Sequence, residues 1–142
     1  MSLLGPNIDR FVLIREPWSD EAREGLKDTF YEAETRLRDG VRKGQMELFR
    51  VFADQYAPGA QCGWLIIERM HGMLFVWCYQ GRGLVCLIHQ LREYARHNGF
   101  EQLSFFTHKA AAVRALRRFK PRVYKKHDTD EVQYVIDARR AA

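Results

Sequence analysis

The sequence predicts a single α/β domain, residues 1–142, with a mixed, mostly antiparallel sheet flanked by helices. Three observations predict it. Runs rich in β-branched and aromatic residues recur along the chain, and tight turns between three of them imply two consecutive hairpins. Apolar residues recur at helical spacing in three other segments. The apolar run Leu74 to Tyr79 passes through the short glycine loop Gln80-Gly81-Arg82-Gly83 straight into an amphipathic segment.

Taken in order, Phe11 to Arg15 reads as a first strand that Pro17 ends. Ser19 is placed to cap a helix, with Asp20 and Glu21 in its first turn, where negative charge suits the helix dipole. Ala22, Leu26, Phe30, Ala33 and Leu37 then form one apolar helical face, and Gly40 is a natural stop. Arg36, Arg38, Arg42 and Lys43 make that helix end basic.

Met46 to Ala53 is the next strand, and Pro58-Gly59 a turn. Cys62 to Arg69 and Met73 to Tyr79 form a hairpin about His71-Gly72, which completes an antiparallel meander. Leu84, Leu87, Ile88, Leu91 and Ala95 line a helix to Asn98 that Gly99 ends. Leu103 to Phe106 is a short strand. Thr107 is placed to cap a helix through Arg118, which Pro121 stops. Val123 to Lys126 and Val132 to Asp137 make a last hairpin around Asp128-Thr129-Asp130.

A chain of 142 residues buries a proper core without metals or disulfides. The net charge of +5 favours anionic ligands in general, and is too modest to single out nucleic acid. The three cysteines, Cys62, Cys78 and Cys86, show no paired spacing, which reads as buried thiols in a reducing, cytoplasmic setting. No signal peptide is legible. No apolar run approaches the roughly 20 residues of a membrane helix, so no membrane partner is expected. Cys86 and His89 lie three apart with no second pair at ligand spacing, so no metal is expected.

The strand–loop–helix segment carries the chemistry. Glycines let backbone N–H groups approach a ligand closely, and the first turn of the next helix adds unpaired N–H groups and the positive end of its dipole. With Arg82 inside the loop, this reads as an anion cradle.

Element order, the loop Gln80-Gly81-Arg82-Gly83-Leu84-Val85 and the tail from Thr107 to Lys126 together resemble the GNAT (acyl-CoA N-acyltransferase) superfamily, as a divergent member. In that family the loop follows Gln/Arg-x-x-Gly-x-Gly/Ala. Gln80 and Gly83 match, and Val85 stands where Gly or Ala is usual. The resemblance implies an acetyl-CoA-dependent N-acetyltransferase acting on an amine. It places the CoA pyrophosphate on amides from Arg82 to about Leu87, with Gln80, Gly81, Gly83, Leu84 and Val85 in the cradle. Pantetheine would run beside Phe75, Val76, Trp77 and Cys78.

Such a reaction must deprotonate an ammonium. For an amine near pKa 10.4 this costs about 4–5 kcal/mol at pH 7. The leaving thiolate needs less help, since a thiol near pKa ~8.5 departs readily. Many relatives carry a tyrosine acid where Ala115 stands here, and a glutamate on the strand Met73 to Tyr79, which has none. The substitutes are Glu68, Tyr79, His108 and Tyr124.

Two other classes stay open. One is a catalytically inactive GNAT-fold binding or assembly module, for which a phage or virion role would fit. The other, ranked last, is a nucleic-acid binder using Arg114, Arg117, Arg118, Lys120, Arg122, Lys125 and Lys126. Exposed strand aromatics are compatible with a homodimer.

Overall fold

The computed structural model describes residues 11–30, 33–53, 60–107, 110–126 and 132–139. The described elements are β1 (Phe11–Glu16), α1 (Asp20–Leu26), a 3-10 turn (Lys27–Thr29), α2 (Glu34–Arg42), β2 (Glu47–Ala53), β3 (Gln61–Met70), β4 (Met73–Gly81), α3 (Leu84–His97), β5 (Gln102–Thr107), α4 (Ala110–Ala115), a second 3-10 turn (Arg117–Phe119), β6 (Arg122–Lys126) and β7 (Val132–Asp137). The described strands form one seven-stranded sheet in the order β1-β2-β3-β4-β5-β7-β6. Every pairing is antiparallel except β4 with β5. The mixed, mostly antiparallel sheet expected from the sequence is therefore present.

Alternation along the strands builds two cores. Leu13, Phe49, Val51, Leu65, Ile67, Leu74 and Val76 join Leu87, Ile88 and Leu91 of α3 in one. Leu48, Trp64, Ile66 and Cys78 meet Ala22, Leu26, Phe30 and Leu37 in the other. Helices thus cover both faces, as the apolar spacings require.

The first helical region departs from expectation. Ser19 does cap it, accepting from the Ala22 amide at 3.1 Å. The helix is not continuous, however. Thr29 Oγ1 donates to the Leu26 carbonyl at 2.7 Å, and Phe30 bonds back only to Lys27, so the chain tightens and α2 starts afresh at Glu34. Ala22, Leu26, Phe30 and Leu37 are all buried, so the periodicity identifies the buried face although one helix becomes two. Gly40 is not the stop either. It lies inside α2, where a Cβ would come within 2.7 Å of Met46 Sδ, and the chain leaves the helix at Gly44, with φ +78°.

Two further boundaries move. Thr107 is the last residue of β5 and not a helix cap. Gly81 belongs to β4, opposite Gly63, and not to a loop. The Pro58-Gly59 and Asp128-Thr129-Asp130 turns lie outside the described residues.

Candidate active site

The parallel pair at the centre of the sheet is short. β4 and β5 are in register from Met73 and Gln102 to Val76 and Phe105, and pair no further. The end of this pairing coincides with an irregularity on the other edge of β4. There Ile66 opposes Cys78 and Ile67 opposes Val76, which leaves Trp77 as an extra residue. Such a bulge bends its strand and increases local twist. Past Val76 the two strands part, and a cleft of about 170 Å³ opens between them. Its walls are Val76, Trp77, Cys78 and Tyr79 on one side and Phe105, Phe106 and Thr107 on the other. Leu84 and Ile88 of α3, Ala112 of α4, Leu116 just after it, and Thr29 complete it.

The glycine that ends β4 and the one that follows it, Gly83, have different tasks. A Cβ on Gly81 would lie 2.3 Å from the Cys62 carbonyl oxygen and 2.6 Å from Gly63 Cα. Gly81 is therefore required by the close approach of β3, over which the Tyr79 hydroxyl also lies. That hydroxyl donates to the Arg82 carbonyl. The Arg82 amide donates back to Cys62 O at 3.0 Å, so this N–H is spent on the sheet. Gly83 is the residue that turns the chain. It sits in the left-handed region at φ +73° and is the N-cap of α3, with no side chain capping the helix and no acidic residue in its first turn. Leu87 is the first α3 amide bonded back to Gly83. Of the amides from Arg82 to Leu87 expected to cradle an anion, those of Arg82 and Leu87 are bonded within the chain. Val85 is half-buried and packs against the α3 core.

On the α1–α2 side, aromatic rings wall the cleft. Phe75 stacks on Trp77 with centroids 4.8 Å apart and planes 2° off parallel, and Phe106 tilts against both. The Trp77 Nε1–H donates to Glu68 Oε1 at 2.9 Å. The Arg36 guanidinium lies 4.8 Å from the Trp77 ring centroid.

The structure brings together Val76, Trp77, Cys78, Tyr79 and Leu84 at the cleft, with Phe75 behind Trp77. Glu68 stands one side chain away, behind the Trp77 indole. Tyr124 is 58% exposed on β6, the edge strand beyond β7, and is not among the cleft walls. His108 lies outside the described residues. Gln80 and Arg82 are exposed at the end of the β4 hairpin arm. Burial pushes the Cys78 thiol up to about 12, and it holds the Cys62 thiol above its ordinary range as well, so both stay protonated and are poor nucleophiles.

The sequence did not single out Thr29, Arg36, Phe106 or Thr107 as site residues. Arg36 reads there as one of four cations at a helix end, and only the fold lays it on Trp77. Arg114, Arg117 and Arg118 are exposed, with Arg118 over the Phe119 ring at 5.1 Å. Among the described residues no group of three His, Cys, Asp or Glu side chains is placed to hold a metal, and no helix is long and apolar enough to cross a membrane.

No protein-family model and no curated protein matches the sequence. Solved structures do match in three dimensions. The chain is similar to the Campylobacter jejuni N-acetyltransferase PseH in complex with acetyl coenzyme A, at TM-score 0.58 and 16% identity, over 89% of this chain and 98% of that one. It is similar to apo FdhC, a nucleotide-linked sugar GNAT, at TM-score 0.62 and 13% identity, over 94% and 89%. It is also similar to FeeM, an N-acyl amino acid synthase from uncultured soil microbes, at TM-score 0.60 and 11% identity, over 92% of each chain. At such identities the likeness speaks for architecture alone: this chain has the GNAT fold.

Proposed function

We propose that this protein is an acetyl-CoA-dependent N-acetyltransferase that acts on a primary amine. The observation that carries the reading is the cleft where β4 and β5 part, directly beside the uncapped α3 start at Gly83. From Trp77 onward the β4 edge no longer pairs with β5, and the cleft leaves room beside it. An extended, amide-bearing chain such as pantetheine fits there as an added strand would. The α3 start then takes the pyrophosphate through its amides and dipole.

The acetyl group would sit among the apolar walls Val76, Trp77, Phe105 and Phe106. Cys78, the cysteine in the cleft wall, stays protonated and is a poor nucleophile, so transfer in this reading goes directly from the thioester to the amine. The amine nitrogen bonds to the acetyl carbon, the C–S bond breaks, and the thiolate leaves. Cys78 is no acid for that thiolate. At about 12, its proton is held too tightly for a leaving group near ~8.5. Among the described residues no carboxylate lines the cleft. The amine's proton therefore passes by water to Glu68, the carboxylate nearest the Trp77 wall.

The test is thermal unfolding with and without acetyl-CoA. At 100 times Kd the gain is about 2.7 kcal/mol, several degrees for a chain of this size. Gly83→Asp should abolish the shift, because a carboxylate at the α3 start repels the pyrophosphate. No shift at millimolar acetyl-CoA would sink the proposal. The lack of a carboxylate in the cleft walls also favours a second reading, a GNAT-fold module that binds without turnover. Release of free CoA above the hydrolysis blank, over a panel of amines, excludes it.

A further inference from the structure

We infer that the acceptor amine carries an oxyanion, a carboxylate or a phosphate, on an apolar body, and that Arg36 binds it. This rests on the acetyltransferase reading and names the substrate class of the same cleft. If the α3 start and the β4 edge hold the cofactor, the open rim left for the acceptor is the opposite one. On that side the cleft is lined by Thr29, Trp77 and Phe106, and Arg36 of α2 lies over the Trp77 ring.

Arg36 is exposed, among the described residues it forms no ion pair, and its guanidinium lies over the Trp77 indole. This distinguishes it from Arg15, Arg23, Arg38, Arg50, Arg69, Arg96 and Arg139, each of which has a carboxylate within 4.0 Å. The guanidinium is also held in place. Trp77 is fixed by Phe75 on its face and by Glu68 at its Nε1, and the cation rests on that fixed ring. Stacking uses the face of a guanidinium and leaves its in-plane N–H donors free, which is the geometry that grips a carboxylate or phosphate edge-on.

The remaining walls suit an apolar body. Val76, Phe105 and Phe106 offer no charge, so the acceptor's charges belong at its two ends. Its ammonium points toward the thioester and the Glu68 side, and its anion stays at the rim on Arg36. Opposite charges at opposite ends then set which way the acceptor enters.

The experiment reads CoA release for matched amines of equal length, which avoids the lowered amine pKa of α-amino acids. The set is n-hexylamine, ε-aminocaproate and the corresponding ω-aminoalkyl phosphonate. It is run on the native chain and on Arg36→Met, which keeps an apolar stem on Trp77. Acetyl-CoA thermal shifts are recorded on both proteins. The anionic amines should be used better than n-hexylamine by about tenfold or more in kcat/KM. Arg36→Met should erase that preference through KM and leave the acetyl-CoA shift intact. The better of the two anions identifies the headgroup. Overturning results, in a protein that still shows the acetyl-CoA shift, are equal use of all three amines, preference for n-hexylamine, an unchanged preference in Arg36→Met, or no turnover of either anion. These leave the cofactor reading standing. Loss of the acetyl-CoA shift in the native chain removes both.

Discussion

Trp77 and Glu68 are bound to each other across the β3–β4 hairpin, the indole N–H donating to the carboxylate at 2.9 Å. The bond joins the bulge residue that opens the cleft to the nearest carboxylate behind it. Glu68→Gln preserves an acceptor for the indole and removes the base. The expected outcome is a CoA-release rate lower by 10²-fold or more, the usual scale of a lost general base, with an unchanged acetyl-CoA thermal shift. A rate within a few-fold of the native chain would remove Glu68 from the proton path.

Gly81 and Gly83 should separate folding from ligand binding. Gly81→Ala sets a Cβ against the backbone of Cys62 and Gly63, which cannot give way without parting β3 from β4. The expected loss is about 2–4 kcal/mol in urea unfolding. Gly83→Ala should cost only about 1–2 kcal/mol, the penalty for a Cβ in the left-handed region. Equal losses at the two positions would show that Gly81 is not wedged as described.

Gly25→Ala reverses a general rule. In an exposed helix interior the change stabilises by up to about 1 kcal/mol. Here the new Cβ would lie 2.3 Å from Trp64 Cδ1. Trp64 is only 5% exposed, and Arg50 lies over its ring at 4.6 Å while bridging Glu16 and Glu21. The indole has nowhere to move, so α1 must lift. A lowered Tm is expected, and a raised one would contradict this packing.

Gln90 holds the first described strand to α3. Its Oε1 accepts from the Phe11 amide at 2.9 Å, and its Nε2 donates to the Phe11 carbonyl at 2.8 Å, both buried. Gln90→Leu keeps the volume and orphans both backbone groups. The expected loss is about 2–4 kcal/mol by chemical denaturation, against about 0.5 kcal/mol for an ordinary surface change.

The Cys78 thiol gives a pH signature. Its folded value is raised from 9.0 to about 12 by burial, so its contribution is complete below about pH 9. Above that the unfolded chain gives up the proton while the folded chain keeps it, and stability falls toward pH 12, by at most about 1.4 kcal/mol per pH unit. Cys78→Val should show a shallower decline of Tm between pH 8.5 and 10.5 than the native chain, taking that window as about one unit either side of pH ~9.5. The folded protein should also leave this thiol unalkylated at pH ~8, where an exposed one reacts.

Strand propensity, helical spacing and turn residues determined the element order, the mixed sheet, the buried faces of the helices and the strand–glycine–helix segment, because each of these is local along the chain. Ser19, Gly72 and Gly99 act where their chemistry predicts. Local pattern failed where a distant partner decides. Gly81 is spent on the approach of β3, Gly40 packs on Met46, and Thr29 breaks a helix whose apolar spacing runs on through Leu37. The site belongs largely to this second kind. The parting of β4 from β5 coincides with a bulge that exists only against β3, and Arg36 meets Trp77 only because α2 folds over that residue. Spacing along the chain carries no information about either contact, since both join residues that burial and sheet twist bring together from distant segments.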